Sequence, residues 1–356
     1  MNISKREIVP IRGPCPGDRT NYMLNEFITW DQKDLVESLL VPYPSPQVVE
    51  WLNQDTIVPP GRRGLLSLSP EIITKIVADV YGHGAGHEAR DILNVAATCK
   101  RLAQVAEHFV QEIRTKVACR WGGSRIICIG EGATLDRLPP RLLRESERER
   151  LRCKRRRLLP HRSPSTSCEA FGSLGLLGEG QGLLDAPPRD TSRPDRRDAK
   201  EETTQLSEDD RRVREELMRP HYPHRRDWII CNWSKREYVR AQAIADLCGR
   251  PDDEQPFLPN CAAQLSHALL ARICWTDSDE CMGIPSVFGF DLHRGPWAGD
   301  RFTITTMERL REDERDDWRD VSAEVVEEVR ELLTAEGYGE QLRRPRKRRV
   351  CLVVHT

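Results

Sequence analysis

The sequence predicts an α+β protein, with a helical module near the N-terminus and a β-rich domain interrupted by a long disordered insertion. Three observations predict it. Apolar residues recur at spacings of three and four between positions 64 and 110, the stripe of an amphipathic helix. Short β-branched and aromatic runs stand at 125–129, 228–232 and 301–305, which is strand patterning. Between the first and second of these runs, residues 161–226 lose periodicity and fill with Pro, Ser, Gly, Arg and Asp. Such a stretch buries too little surface to offset its ordering entropy.

Residues 1–20 carry Pro and Gly and little apolar content, and read as a flexible leader. Residues 21–63 hold LVESLL and SPQVVEWL. Ser45 followed by Pro46 is a helix-start signal, so 21–63 is a short helical leader, expected to pack on or near the module that follows. That module spans 64–118. Leu65 and Leu68 precede a Ser69-Pro70-Glu71 corner: an N-cap, a proline suited to the first helical position, and an acid in the first turn. Ile72, Ile73, Ile76, Val77 and Val80 then read as one stripe of one helix. A loop, Gly82–His87, breaks the pattern. A second helical run follows, with Ile92, Leu93, Ala96, Cys99 and Leu102 on one face and Val105, Phe109 and Ile113 continuing it.

The β-rich domain is assigned to 119–140 and 227–340, around a disordered charged insertion at 141–226. Arg125–Ile129 reads as a mostly buried strand. DWIICNWSKREYVRA reads as a strand, a polar turn at Asn232–Lys235 and a strand from Glu237. AAQLSHALLARICW is a helix running into a strand that ends at Cys274 and Trp275. In DRFTITT, Phe302 and Ile304 alternate with threonines, so one face is apolar. DWRDVSAEVVEEVRELLTAEGYG is a helix capped by Asp320 or Ser322, with Val325, Val329, Leu332 and Leu333 as its buried stripe and Gly337 as its stop. Residues 341–356 are a basic tail. Trp121-Gly-Gly-Ser-Arg-Ile and Trp297-Ala-Gly-Asp-Arg-Phe repeat one pattern, a tryptophan anchoring a tight glycine turn before a strand. An isolated strand lacks partners for its backbone groups, so 125–129 is expected to pair with 228–232 or 301–305 in one domain.

The corner LLSLSPEII followed by DILNVAATCKRL resembles an F-box, the helical module that docks on the Skp-type adaptor of SCF ubiquitin ligases, with Ser69 where that family usually has proline. The resemblance implies adaptor docking through Leu65, Leu68, Pro70, Ile72, Ile73, Ile76, Leu93, Cys99 and Leu102, and through the adaptor a link to cullin, the RING subunit and a ubiquitin-loaded enzyme. The later segments resemble the C-terminal half of a fungal family of F-box proteins, whose N-x-[ST]-K-x-E-Y and W-A-G-D-R-[IF] motifs match here at Asn232, Lys235, Glu237, Tyr238, Trp297, Gly299, Asp300 and Arg301. No catalytic role comes with that module. The expectation is a non-catalytic substrate receptor holding an unknown protein target.

Composition is consistent with that reading. Lys+Arg is 55 and Asp+Glu 56 in 356 residues, so no global charge draws the chain to nucleic acid or membrane. The N-terminus has no apolar signal region, and no run of about 18 apolar residues offers a membrane span. Twelve cysteines are scattered singly and are expected as reduced thiols, Cys128, Cys231 and Cys274 among them, in a nuclear or cytoplasmic protein. No C-x-x-C occurs. His83 and His87 lie in a glycine loop, and His221 and His224 flank a proline, so no metal is expected. No G-x-S-x-G elbow or P-loop stands out, so no catalytic residue and no cofactor are expected. The basic runs Arg148–Arg157 and Arg343–Arg349 fit nuclear targeting. They also sustain the rival reading, a nuclear nucleic-acid-associated protein with a purely structural helical hairpin. Nucleic acid is disfavoured because no aromatic stacking residues flank either run; a steep salt slope of DNA binding would mark the rival.

Overall fold

Helices and short strands follow one another where the apolar spacing switches between three-and-four and alternation. The computed structural model describes residues 2, 4, 33–54, 64–82, 88–129, 138–139, 142–149, 208–250, 263–275, 291–312 and 317–335. Its helices are α1 Lys33–Glu37, α2 Pro46–Asn53, α3 Pro70–Gly82, α4 Glu88–Thr98, α5 Lys100–Ala118, α6 Glu208–Met218, α7 Ala241–Leu247, α8 Leu265–Ile273, α9 Met307–Glu312 and α10 Ser322–Ala335. Its strands are β1 Cys128–Ile129, β2 Trp228–Asn232, β3 Glu237–Arg240, β4 Cys274–Trp275, β5 Phe302–Thr306 and β6 Arg319–Asp320. The fold class is α+β, with a small mixed sheet. The described residues divide between a helical unit, within Val41–Arg120 and Pro187–Pro223, and a sheet unit, within Met1–Leu40, Trp121–Ala186 and His224–Thr356.

In the helical unit, Ser45 starts α2 as its chemistry dictates: its hydroxyl accepts the Val48 N–H, and Pro46 follows in the first turn. Val48 and Leu52 then join Ile73, Val77, Ile92 and Val110 in one core. Each such side chain contributes roughly 1.5–3 kcal/mol by its burial. The second helical run is two helices rather than one. The Thr98 hydroxyl donates to the Val95 carbonyl at 2.7 Å, a local bond that competes with the helix ladder. Cys99 is extended, and α5 restarts beyond it.

Helix α6 corrects the insertion boundary, because Glu208–Met218 lies within the stretch expected to be disordered. Two sources of order account for it. Val213 and Leu217, one turn apart, pack into the helical core. The buried Arg114 of α5 donates to the Leu217 carbonyl through Nε at 3.0 Å and Nη2 at 2.5 Å, placing a cation on the open carbonyl end of α6. Tyr43 and His221 add a two-way backbone bridge. Residues 150–207, the middle of that insertion, lie outside the described residues, as do the Gly-His loop beyond Gly82, Gly337 and the basic tail.

In the sheet unit the strand order is β5-β2-β3-β6, with β3 and β6 parallel and the other neighbours antiparallel. All five residues of β2 are buried, because both faces are covered. Ile229 and Cys231 pack with Leu310 of α9 on one face. Ile230 stands in register with Val239 and Ile304 on the other. The expected one-sided β5 is therefore covered on both sides, and Thr305 and Thr306 are buried. In α10, Val325, Val329, Leu332 and Leu333 are all buried, and Asp320 accepts from the Ser322 N–H at 3.0 Å at its start.

Three boundaries move. Residues 33–40 of the leader belong to the sheet unit: Leu39 and Leu40 are buried, and the Leu39 carbonyl accepts the Ile304 N–H on the open edge of β5. Leu142 and Leu143, assigned to the insertion, are buried in the same unit. Asn2, within the expected flexible leader, bridges Ile126. The 125–129 segment also finds other partners than expected. Strand β1 pairs in parallel with β4, and only Arg125 bridges Arg301.

Candidate functional site

Two places collect the residues that the sequence singles out. The first is helix α3 and the turn before it. Both the Ile72 and Ile73 N–H groups donate to the Ser69 carbonyl at 3.1 Å. The Ser69 hydroxyl bonds Glu71 and lowers its carboxyl below the ordinary range. Arg101 of α5 holds the Leu68 carbonyl at 2.9 Å. Helix α3 carries two apolar faces where one stripe was expected. Ile73 and Val77 are buried in the core, whereas Ile72 is 48% exposed and Ile76 38% exposed, one turn apart. Leu65, in the preceding 3-10 turn, is 42% exposed. Pro70 is also exposed.

The nine residues proposed for docking therefore do not form one surface. Leu65, Pro70, Ile72 and Ile76 face solvent. Leu68 and Cys99 are partly buried against the core. Ile73, Leu93 and Leu102 are core residues, a correction to the expected surface. The physical reason is the same for all three: three helices leave each a stripe turned inward, and spacing alone does not say which stripe that is.

The second place is the junction of the two sheet-unit motifs. The Asn232 amide donates to Asp300 at 2.9 Å, and its oxygen accepts the N–H groups of Ser234 and Lys235. Lys235 Nζ reaches the Pro296 carbonyl at 2.6 Å. The Trp297 indole N–H donates to Glu237 at 2.6 Å, and Arg319 donates to the other oxygen of the same carboxylate at 2.5 Å. Burial pushes the Glu237 carboxyl up, but the Arg319 and Trp297 hydrogen bonds outweigh it and hold it below its usual range. Beneath lies Arg272, 1% exposed. Glu328 grips its guanidinium through both oxygens at 2.9 and 2.8 Å, Glu324 pairs with it as well, and its plane sits 5.0 Å from the Trp297 ring. Burial pushes Glu328 upward despite the Arg272 bond.

The two W-x-G-x-R corners meet each other directly. In each, the N–H of the fourth residue closes a turn onto the tryptophan carbonyl, Ser124 to Trp121 and Asp300 to Trp297. The third residue is a glycine at positive φ, 67° at Gly123 and 86° at Gly299, as a type II turn requires. Gly123 N–H donates to the Phe302 carbonyl, and Gly299 N–H donates to the Ile126 carbonyl, both at 2.8 Å. The bonds are reciprocal, third residue to sixth in both directions, about the Arg125–Arg301 bridge. Trp121 and Trp297 are both buried.

This junction ties backbone together, and its carboxylates are all engaged by donors. Among the described residues no group of three or more His, Cys, Asp or Glu side chains is placed to hold a metal, and no helix is long and apolar enough to cross a membrane. Sequence reasoning missed Arg272; its signal is a single arginine inside the apolar run of α8. Compared with family models, curated proteins and solved structures, the chain finds no match in any of the three.

Proposed function

We propose that this chain is a non-catalytic, F-box-like substrate receptor or adaptor subunit of an SCF-type ubiquitin ligase. Its helical unit docks on a Skp-type adaptor and, through it, on cullin, while the sheet unit holds a protein target. Receptor action raises the target's effective concentration at a ubiquitin-loaded enzyme and needs no activated side chain. The observation that carries the reading is the second apolar face of α3: Ile72 and Ile76 stay exposed although the helix already satisfies its core through Ile73 and Val77. Apolar side chains on successive turns of one helix face are the anchors of helix-mediated recognition. The LLSLSPEII corner and the DILNVAATCKRL run supply the resemblance that names the adaptor class.

The test is co-purification of the full chain with adaptor and cullin. The expected result is recovery of both by the wild-type chain and their loss with Ile72→Asp plus Ile76→Asp, a pair outside the core. Recovery by the double variant at wild-type yield would reject this face as the docking surface.

A further inference from the structure

Two cysteines distant in the chain lie directly opposite each other in the sheet unit. Strands β1 and β4 run parallel, with Cys128 in register with Cys274. In-register residues of neighbouring strands point to the same face and sit about 5 Å apart, inside the roughly 4.4–6.8 Å Cα separation that a disulfide spans. Both are free thiols. Cys274 is buried, whereas Cys128 is half-buried. Cys231, also in a described strand, faces Tyr238 and Thr303 instead.

We propose that Cys128 and Cys274 are a reversible thiol–disulfide pair oxidised by hydrogen peroxide, with Cys128 as the attacking sulfur and Cys274 as the resolving one. The asymmetry follows from burial, Cys128 being half-buried and Cys274 buried, and their contact acts in the same direction. The hydrogen bond from Cys274 lowers the Cys128 thiol below the ordinary thiol range, and the same bond, with burial, raises Cys274 well above it. Nucleophilic attack needs the thiolate, which Cys128 reaches first. The Cys128 thiolate attacks one peroxide oxygen, the O–O bond breaks, and the departing hydroxide takes a proton and leaves as water. Cys128 is then a sulfenic acid. The Cys274 sulfur attacks it, the S–S bond forms, the S–O bond breaks, and the second oxygen leaves as water with the Cys274 proton. Two thiols supply the two electrons that one peroxide accepts. The bond clamps the Trp121 corner segment to the end of α8, where the ladder is only two residues long.

The experiment uses the full reduced chain. It is treated with equimolar hydrogen peroxide, blocked with N-ethylmaleimide, digested and mapped by mass spectrometry. The expected result is a several-fold loss of labelling at Cys128 and Cys274 together, a linked 128–274 peptide, and restoration of both labels by dithiothreitol. In Cys274→Ala, Cys128 should instead accumulate as a sulfenic acid trapped by dimedone. Full labelling of both cysteines after peroxide, or linkage of Cys128 to a different cysteine or a second chain, would overturn the proposal. The wild-type map decides the matter even where the variant does not fold.

Discussion

The Trp297 indole donates to Glu237 at 2.6 Å, and the same ring lies 5.0 Å from the guanidinium of Arg272. One tryptophan thus joins a hairpin carboxylate to a buried cation. Around it close the Asn232–Asp300 bond and the clamp of Glu328 on Arg272. The motif residues of the sheet unit form a structural lock in which each buried polar group meets a partner of opposite character.

That lock predicts the cost of breaking it. Arg272→Met leaves Glu328 buried without its cation, and removing one member of a buried pair costs about 3–5 kcal/mol. Adding Glu328→Leu should recover part of the loss, since Glu324 is the more exposed partner. Denaturant unfolding of both variants checks this; equal loss in single and double variants would contradict it.

The two glycine corners should respond unequally. At Gly123 an added Cβ meets open space, so Gly123→Ala bears only the left-handed backbone penalty, about 1–2 kcal/mol. At Gly299 the added Cβ would also come 2.8 Å from Leu142 Cδ1 and 3.2 Å from Leu142 Cα. Gly299→Ala should therefore lower the unfolding midpoint clearly more than Gly123→Ala.

Acid should weaken the sheet unit. Arg125 binds both oxygens of Glu147, at 2.9 and 3.1 Å, and this holds the Glu147 carboxyl below its ordinary value. A carboxyl depressed in the folded state contributes stability above its unfolded value, roughly pH 4.3, and loses it as pH falls through the folded value. Stability should drop with acidification across that window, and Glu147→Gln should flatten the drop. A variant with the wild-type pH profile would contradict the assignment.

Helix α6 should depend on one arginine. Arg114→Met removes both donors from the Leu217 carbonyl and should cost about 1–3 kcal/mol, the penalty for an unsatisfied buried group. Amide exchange over 208–218 should accelerate in that variant, with the exchange of β2 unchanged.

These dependences separate what the sequence discloses from what it hides. Ser45–Pro46, the β2–β3 hairpin, the passage from α8 into β4 and the buried stripe of α10 were legible because local spacing and capping decide them. Helix α6 was not. Its charged sequence offers only Val213 and Leu217 as a stripe, and its order comes from packing and from Arg114, more than ninety positions earlier. The partner of β1 was hidden for a similar reason, since two-residue ladders leave little patterning. At the proposed docking face, the sequence names the apolar residues of α3 but not their division. Ile73 and Ile76 carry the same side chain, and only the placement of α4 and α5 decides which is core.

The most direct measurement is the affinity of the purified full chain for a purified Skp-type adaptor, compared across surface variants. Ile72→Ala and Ile76→Ala should each weaken binding by about 1–2 kcal/mol, roughly five- to thirtyfold in Kd. Val117→Ala, also exposed but on α5, should leave the affinity unchanged. Wild-type affinity in both isoleucine variants, or no binding by the unaltered chain, would contradict the account.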